Sequence, residues 1–135
     1  MSQRESGYQR KPFDQYETLA WVTRALIRHL PEFTGKVWEP ACSSGKMVAA
    51  LRQAGFDVVG SDITQGVDFL GQAPETGVNA IITNPPYALA RKFIERALCF
   101  DDTRIVAMLL RTYFDHAASR RHLFADCAMF QRSLS

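Results

Sequence analysis

Hydrophobic residues recur along this chain in two spacings, which together predict a regular succession of helices and strands. Short apolar runs bounded by turn residues are typical of strands, and apolar residues three or four positions apart are typical of amphipathic helices. The run 104–110 is apolar almost throughout, as expected for a parallel strand buried on both faces. The predicted strands are 36–39, 57–61, 79–83 and 104–110, with a further very short strand allowed in loop 62–78, and the predicted helices are 19–30, 46–54, 89–100 and 116–124.

The segment from residue 36 to residue 62 predicts a nucleotide-binding unit. It runs from a strand through a turn of small residues ending at Gly45, and then through a helix to a second strand. Small residues let the backbone approach a ligand, and an acid at a strand's end, here Asp62, can hold two ribose hydroxyls. The Gly-x-Gly-x-x-Gly spacing of dinucleotide sites is absent, so a pyrophosphate is not the favoured ligand.

Residues 84–87, Asn-Pro-Pro-Tyr, are the most informative motif in the chain and follow the apolar strand 79–83. Two consecutive prolines have no N–H group and a fixed φ, so the strand must end there in a rigid turn. The Asn84 side chain and the Pro85 carbonyl can both accept hydrogen bonds from an –NH2 group. Tyr87 can stack on the planar system that carries that group. These residues predict a site for a planar amine or amide.

In their order and spacing, these two segments resemble the class I S-adenosylmethionine-dependent methyltransferases. The closest resemblance is to the amino-methylating branch marked by Asn-Pro-Pro-Tyr, which includes DNA N6-adenine methyltransferases, and it extends from Tyr16 to Phe124. It implies a Rossmann-like α/β fold with a mostly parallel sheet of order 3-2-1-4-5. The ligand crevice would lie at the carboxyl ends of the first and fourth strands, where the order reverses.

The resemblance implies methyl transfer to a planar amino nitrogen, with adenine N6 in DNA as the first candidate. Methylation of RNA or of a protein glutamine amide is an alternative, because the motif recognises a planar nitrogen and not a sugar. A protein that binds the cofactor without catalysing transfer is a further alternative, from a different functional class.

The resemblance also assigns residues to the cofactor, S-adenosylmethionine. Glu39 corresponds to the acid near the methionine moiety, Asp62 to the ribose-binding acid, and the segment Asp68-Phe69-Leu70 to the part that reads the adenine. The implied cofactor-binding residues are Tyr16, Thr18, Glu39, Ala41, Cys42, Ser43, Gly45, Asp62, Ile63, Asp68, Phe69 and Asn84. The implied catalytic residues are Asn84, Pro85, Pro86 and Tyr87, and no residue is assigned to a metal.

The chain departs from the family pattern in three places. Ser43 stands where the family usually has Gly, and Leu19 where it often has Pro. If position 43 requires a positive φ, a Ser there stores strain. After Phe124 the chain is too short for the usual C-terminal β-hairpin. The strand 104–110 would then have an open apolar edge, which predicts a homo-oligomer through this edge or a marginally stable monomer.

Size and composition indicate one domain over residues 1–135, with residues 1–14 flexible and 125–135 a short tail. A chain that is 47% hydrophobic and 22% charged can bury a modest core. No apolar run is long enough to cross a membrane, and the three cysteines lack metal-ligand spacing, which favours reduced thiols in the cytoplasm. A net charge of +2 is low for a nucleic-acid-binding protein. A nucleic-acid substrate, DNA before RNA, therefore rests on the resemblance.

Overall fold

Three helices and five strands are defined in the computed structural model, which describes residues 20–110 and the backbone of residues 127–131. The helices are α1 (Ala20–Ile27), α2 (Lys46–Gln53) and α3 (Ala90–Leu98). The strands are β1 (Lys36–Glu39), β2 (Asp57–Gly60), β3 (Val78–Thr83), β4 (Ile105–Leu109) and β5 (Cys127–Gln131). Every helix and strand predicted within residues 20–110 is confirmed and differs only at its ends, apart from the optional strand in loop 62–78. The predicted helix 116–124 and the predicted flexible segment 1–14 lie outside the described residues.

The strands form one sheet with the order β2-β1-β3-β4-β5. The first four strands are parallel, and β5 is antiparallel to β4. The chain passes from β1 to β2 on one side and then crosses back to β3 on the other side of β1. The order therefore reverses at the carboxyl ends of β1 and β3, as a doubly wound sheet requires. This part of the predicted architecture, a mostly parallel α/β sheet, is confirmed.

The expected third strand, at the outer edge of the sheet, is absent. Residues 61–77 contain no strand and instead include a short 3-10 helix, Ile63–Gln65. Two acids in this segment bond their own backbone: Asp62 accepts from Thr64 N at 3.1 Å, and Asp68 accepts from Leu70 N at 3.0 Å. Such local side-chain bonds offer the backbone an alternative to a strand ladder. The predicted order 3-2-1-4-5 is therefore wrong in its first member.

Helices cover both faces of the sheet, because alternate side chains of each strand point to opposite sides. On one face, α1 and α2 pack against strand residues that include Val37, Ile82 and Ala107. On the other face, α3 and the loop after β2 pack against Trp38, Ile81 and Val106. All five residues of β4 are buried, which agrees with the prediction of a strand covered on both faces.

The edge of β4 is covered, contrary to the prediction that it would be open. β5 pairs with β4 along its whole length, from Ile105 opposite Gln131 to Leu109 opposite Cys127. An open edge would leave a row of unpaired N–H and C=O groups, and a single antiparallel strand from the tail satisfies them. A homo-oligomer built on this edge would first have to displace β5. Within the described residues, no helix has the length and apolar character needed to cross a bilayer.

Candidate cofactor and substrate site

Three neighbouring parallel strands bring the predicted polar residues to one edge of the sheet. Glu39 is the last residue of β1, Asn84 directly follows β3, and Asp62 lies two residues beyond the end of β2. Because β1 lies between β2 and β3, these residues lie at the carboxyl ends of adjacent strands and next to the point where the order reverses. This is where open α/β sheets bind ligands.

The turn between β1 and α2 has backbone N–H groups that are hydrogen-bonded within the protein. Four of its N–H groups donate to groups within the chain, without any ligand. The bonds are Ala41 N to Glu39 Oε2 (2.9 Å), Cys42 N to Ser61 O (2.9 Å), Ser43 N to Asp62 Oδ1 (3.0 Å) and Gly45 N to Cys42 O (2.7 Å). Phosphate-binding turns direct such N–H groups at the anion. The arrangement therefore agrees with the inference that a pyrophosphate is not the favoured ligand.

Ser43 adopts a left-handed conformation with φ 51, which confirms that this position needs a positive φ. No other non-glycine residue in the described part of the chain does so. In this conformation its N–H donates to Asp62, so the strained residue connects the turn to the end of β2. Gly45, also left-handed at φ 93, begins α2, and a Cβ there would meet nothing within 4 Å.

Asp62, expected to bind a ribose, is only 1% exposed and is held by three donors. Its Oδ1 accepts from Ser43 N, and its Oδ2 accepts from both Thr64 N and Thr64 Oγ1, the latter at 2.7 Å. Asp62 therefore joins the β1–α2 turn to the 3-10 helix that follows β2. A ribose hydroxyl would have to compete with Thr64 for this carboxylate. Ile63, half-buried beside it, also begins that 3-10 helix.

Asp68, expected to contact an adenine, carries an unsatisfied oxygen. The residue is 9% exposed, and its Oδ1 accepts from Leu70 N, but its buried Oδ2 has no hydrogen-bond partner within the described part of the chain. A buried carboxylate oxygen without a donor is costly, so a ligand N–H that reached it would be favoured. The exocyclic amino group of an adenine is such a donor. This oxygen is compatible with the adenine contact that the resemblance implies for Asp68.

Phe69, the next residue, does not offer its ring to a ligand. The ring is fully buried and lies 5.1 Å from Trp38, 4.7 Å from Phe93 and 5.9 Å from Phe100, measured between ring centroids. This aromatic cluster is part of the core beneath the loop. Any contact of Phe69 with a cofactor must therefore come from its backbone.

Glu39 links the β1–α2 turn to the predicted catalytic turn, a connection that the sequence did not indicate. Its buried Oε2 accepts from Ala41 N and from the hydroxyl of Thr83, which is fully buried and directly precedes Asn84. Thr83 is the residue that sequence reasoning missed. A polar residue directly after the apolar run 80–82 was the available signal.

The Asn84–Tyr87 turn directly follows the end of β3, as predicted. Pro85 and Pro86 are buried, whereas Asn84 and Tyr87 are half-exposed. The Pro86 carbonyl accepts from Leu89 N at 2.9 Å, at the start of a 3-10 helix that runs into α3. Among the described residues, no backbone N–H donates to the Pro85 carbonyl.

The remaining predicted residues are less informative. Cys42 has a buried thiol in the turn, with its Sγ 3.8 Å from the Ser43 carbonyl oxygen, and Ala41 is buried beside it. Tyr16 and Thr18 lie outside the described residues. The part of the chain that the structure describes holds no group of three or more His, Cys, Asp or Glu side chains placed to bind a metal ion.

Comparison with known proteins adds no further assignment: no protein-family model matches the chain, and no curated protein sequence matches it significantly. The functional argument therefore rests on the residues and their geometry.

Proposed function

We propose that this chain is an S-adenosylmethionine-dependent methyltransferase that acts on a planar amino nitrogen, with adenine N6 in DNA as the best-fitting substrate. The observation that carries the proposal is the direct link between two sites of different chemistry. Glu39 Oε2 accepts hydrogen bonds both from the β1–α2 turn and from Thr83, next to the Asn84–Tyr87 turn. A cofactor on the first turn would therefore lie beside a substrate on the second.

On the cofactor side, three acids are suited to different parts of the ligand. Asp68 has a buried oxygen that needs a donor, which the adenine amino group would supply. Asp62 and Glu39 lie at the ends of neighbouring strands, as the resemblance requires for the ribose and the methionine moiety. When bound, S-adenosylmethionine supplies an electrophilic methyl group.

On the substrate side, the chain supplies two acceptors and an aromatic face. An exocyclic amine on a purine is a weak nucleophile, because its lone pair is delocalised into the ring. Hydrogen bonds to the Asn84 side-chain oxygen and to the Pro85 carbonyl favour a tetrahedral nitrogen with a directed lone pair. Positioning of this kind can supply roughly 7–11 kcal/mol of a barrier. Tyr87 would stack on the base and stabilise the positive charge that develops.

The chemistry requires no strong base, which agrees with an amide and not a carboxylate at position 84. An adenine in duplex DNA would have to leave the base stack to reach this turn, whereas a single-stranded target would not. RNA adenine or a glutamine amide presents the same planar –NH2 group. These substrates are therefore separate arms of the test.

The test combines a cofactor-binding titration with transfer of a radiolabelled methyl group to DNA, RNA and protein. Asn84→Ala and Tyr87→Ala should both abolish transfer, and Tyr87→Ala should leave the cofactor Kd within about twofold, because Tyr87 is assigned to the substrate alone. Tyr87→Phe is the matched control, since it keeps the stacking face and should retain most of the activity.

Each outcome separates the alternatives. Labelling of DNA that is lost in Asn84→Ala supports the proposal, and labelling of RNA or protein instead changes the substrate. Cofactor binding without transfer to any acceptor indicates a binding protein without catalysis. Absence of cofactor binding by the unaltered chain refutes the proposal.

A further inference from the structure

Arg96, a residue of α3 not discussed above, contacts the loop that follows β2 at two points. Its Nε donates to the Phe69 carbonyl at 3.2 Å, and its Nη2 donates to the Gln72 carbonyl at 2.7 Å. Its guanidinium carbon lies 5.1 Å from the centroid of the Phe100 ring, which orients the planar group. One side chain of α3 thus holds two carbonyls of the loop that follows β2.

One carbonyl belongs to the second residue of a tight turn that begins at Asp68, and the other belongs to the residue that follows this turn. Within this turn, Leu70 N donates to Asp68 Oδ1, and Gly71 N donates to the Asp68 carbonyl at 2.9 Å. Asp68 therefore uses one carboxylate oxygen and its backbone oxygen to shape the turn, and its second carboxylate oxygen has no hydrogen-bond partner among the described residues. The orientation of that oxygen depends on the conformation of the turn, and Arg96 donates two hydrogen bonds to this part of the loop.

The same helix holds the turn at a second point. Phe93, one helical turn before Arg96, packs its ring 4.7 Å from the Phe69 ring. The side chain and the carbonyl of Phe69 are therefore both fixed by α3. This helix begins at Ala90, only a 3-10 turn after the Asn84–Tyr87 segment. The Asp68 turn is thus positioned relative to the proposed substrate turn through one short helix.

We propose that Arg96 is a positioning residue for the cofactor site. It fixes the Asp68–Gln72 segment against α3 so that Asp68 Oδ2 is directed at the ligand. The inference rests on the proposed function. A guanidinium suits this task because its planar fork can donate to two carbonyls at once, which a lysine ammonium cannot do with fixed geometry.

The experiment compares Arg96→Gln with Arg91→Gln, the same chemical change on the same helix. Arg91 is almost fully exposed and has only an ion pair with Glu95 at 3.4 Å, so its replacement should change little. Arg96→Gln should raise the Kd for S-adenosylmethionine about tenfold, while kcat at saturating cofactor stays close to that of the unaltered chain. Arg96→Lys should fail to restore the Kd fully, because charge without the fork is insufficient.

Hydrogen exchange of the protein without cofactor gives a readout independent of the proposed function. The amides of Leu70 and Gly71 should exchange faster in Arg96→Gln than in Arg91→Gln, since the loop loses the guanidinium hydrogen bonds to the Phe69 and Gln72 carbonyls. An unchanged exchange rate at both amides overturns the inference. An unchanged cofactor Kd in Arg96→Gln, with the unaltered chain binding normally, also overturns it. If the unaltered chain does not bind S-adenosylmethionine, the proposed function fails, and the exchange rates alone decide whether Arg96 fixes the turn.

Discussion

Replacing Thr83 by Val tests whether the hydrogen bond between the two turns is needed for both stability and transfer. Valine has nearly the same shape as threonine, so the change removes the hydroxyl without opening a cavity. The Thr83 hydroxyl donates to Glu39 Oε2, which is buried and cannot turn to water instead. We expect a less stable protein that also transfers methyl groups more slowly, because Asn84 directly follows Thr83.

The magnitude follows from the environment of the acceptor. Leaving a buried acceptor without one of its donors costs about 1–3 kcal/mol. Glu39 Oε2 still accepts from Ala41 N at 2.9 Å, so the lower part of this range applies, about 1–2 kcal/mol. For a domain of this size that corresponds to a fall in Tm of about 3–8 °C.

Thr103→Val is the matched control for this change. Thr103 is also fully buried, but its hydroxyl has no hydrogen-bond partner within the described part of the chain. The same substitution should therefore be neutral or slightly stabilising there, because a buried hydroxyl without a partner is itself unfavourable.

Thermal melts and denaturant titrations of both variants, with transfer assays at saturating cofactor, measure these effects. Thr83→Val should be less stable than Thr103→Val and slower in transfer. Equal Tm values for the two variants would show that the Glu39–Thr83 bond contributes nothing. A destabilised Thr83→Val with unchanged transfer would show that the bond does not position Asn84.

Three further predictions concern the turn, the acid at the end of β2 and the edge of the sheet. Ser43→Gly should raise the stability by about 0.5–1 kcal/mol in thermal melts, since relief of the left-handed strain exceeds the added entropy of the unfolded chain. Ser43→Ala keeps the Cβ and should not raise the stability. Equal stability of the two variants would contradict this account. Asp62→Ala should weaken cofactor binding by roughly 1–3 kcal/mol in a titration and also lower Tm, because its carboxylate holds Ser43 and Thr64; normal cofactor binding would mean that the ribose assignment is wrong. Either Ala128→Pro or Met129→Pro should release β5 and cause self-association, measured by light scattering. Neighbouring N–H groups of a strand point to opposite sides, so only one of these two N–H groups faces β4. If both variants stay monomeric, β5 pairing does not protect the edge.

The sequence predicted the parts of the fold that depend on local periodicity. Strands and helices within residues 20–110 are predictable because their apolar spacing is regular, and Gly55, left-handed at φ 100, lies just beyond α2, where helices commonly end in a glycine. The missing third strand could not be foreseen from periodicity, because the local bonds of Asp62 and Asp68 decide the path of that loop. β5 is a five-residue strand whose pairing depends on β4, which lies far away in the sequence.

The candidate site also has parts that the sequence predicted and parts that it did not. Residues at strand ends could be placed from the parallel topology alone, so Glu39, Asp62 and Asn84 were correctly brought to one edge. The bond between Glu39 and Thr83 spans 44 positions and depends on the exact rotamer of a buried side chain, which no pattern encodes. The burial of the Phe69 ring is likewise a packing outcome, since an aromatic residue in a loop can face a ligand or the core.

The turn between β1 and α2 has a kinetic consequence, because its N–H groups are already bonded within the protein. A loop that must order itself around a ligand makes each binding event costly and slows release. Since the N–H groups of this turn are bonded without a ligand, binding of the proposed cofactor would cost little conformational entropy of the protein. Release of the demethylated cofactor and binding of a new one would then be limited by the contacts of the ligand, and not by refolding of the turn.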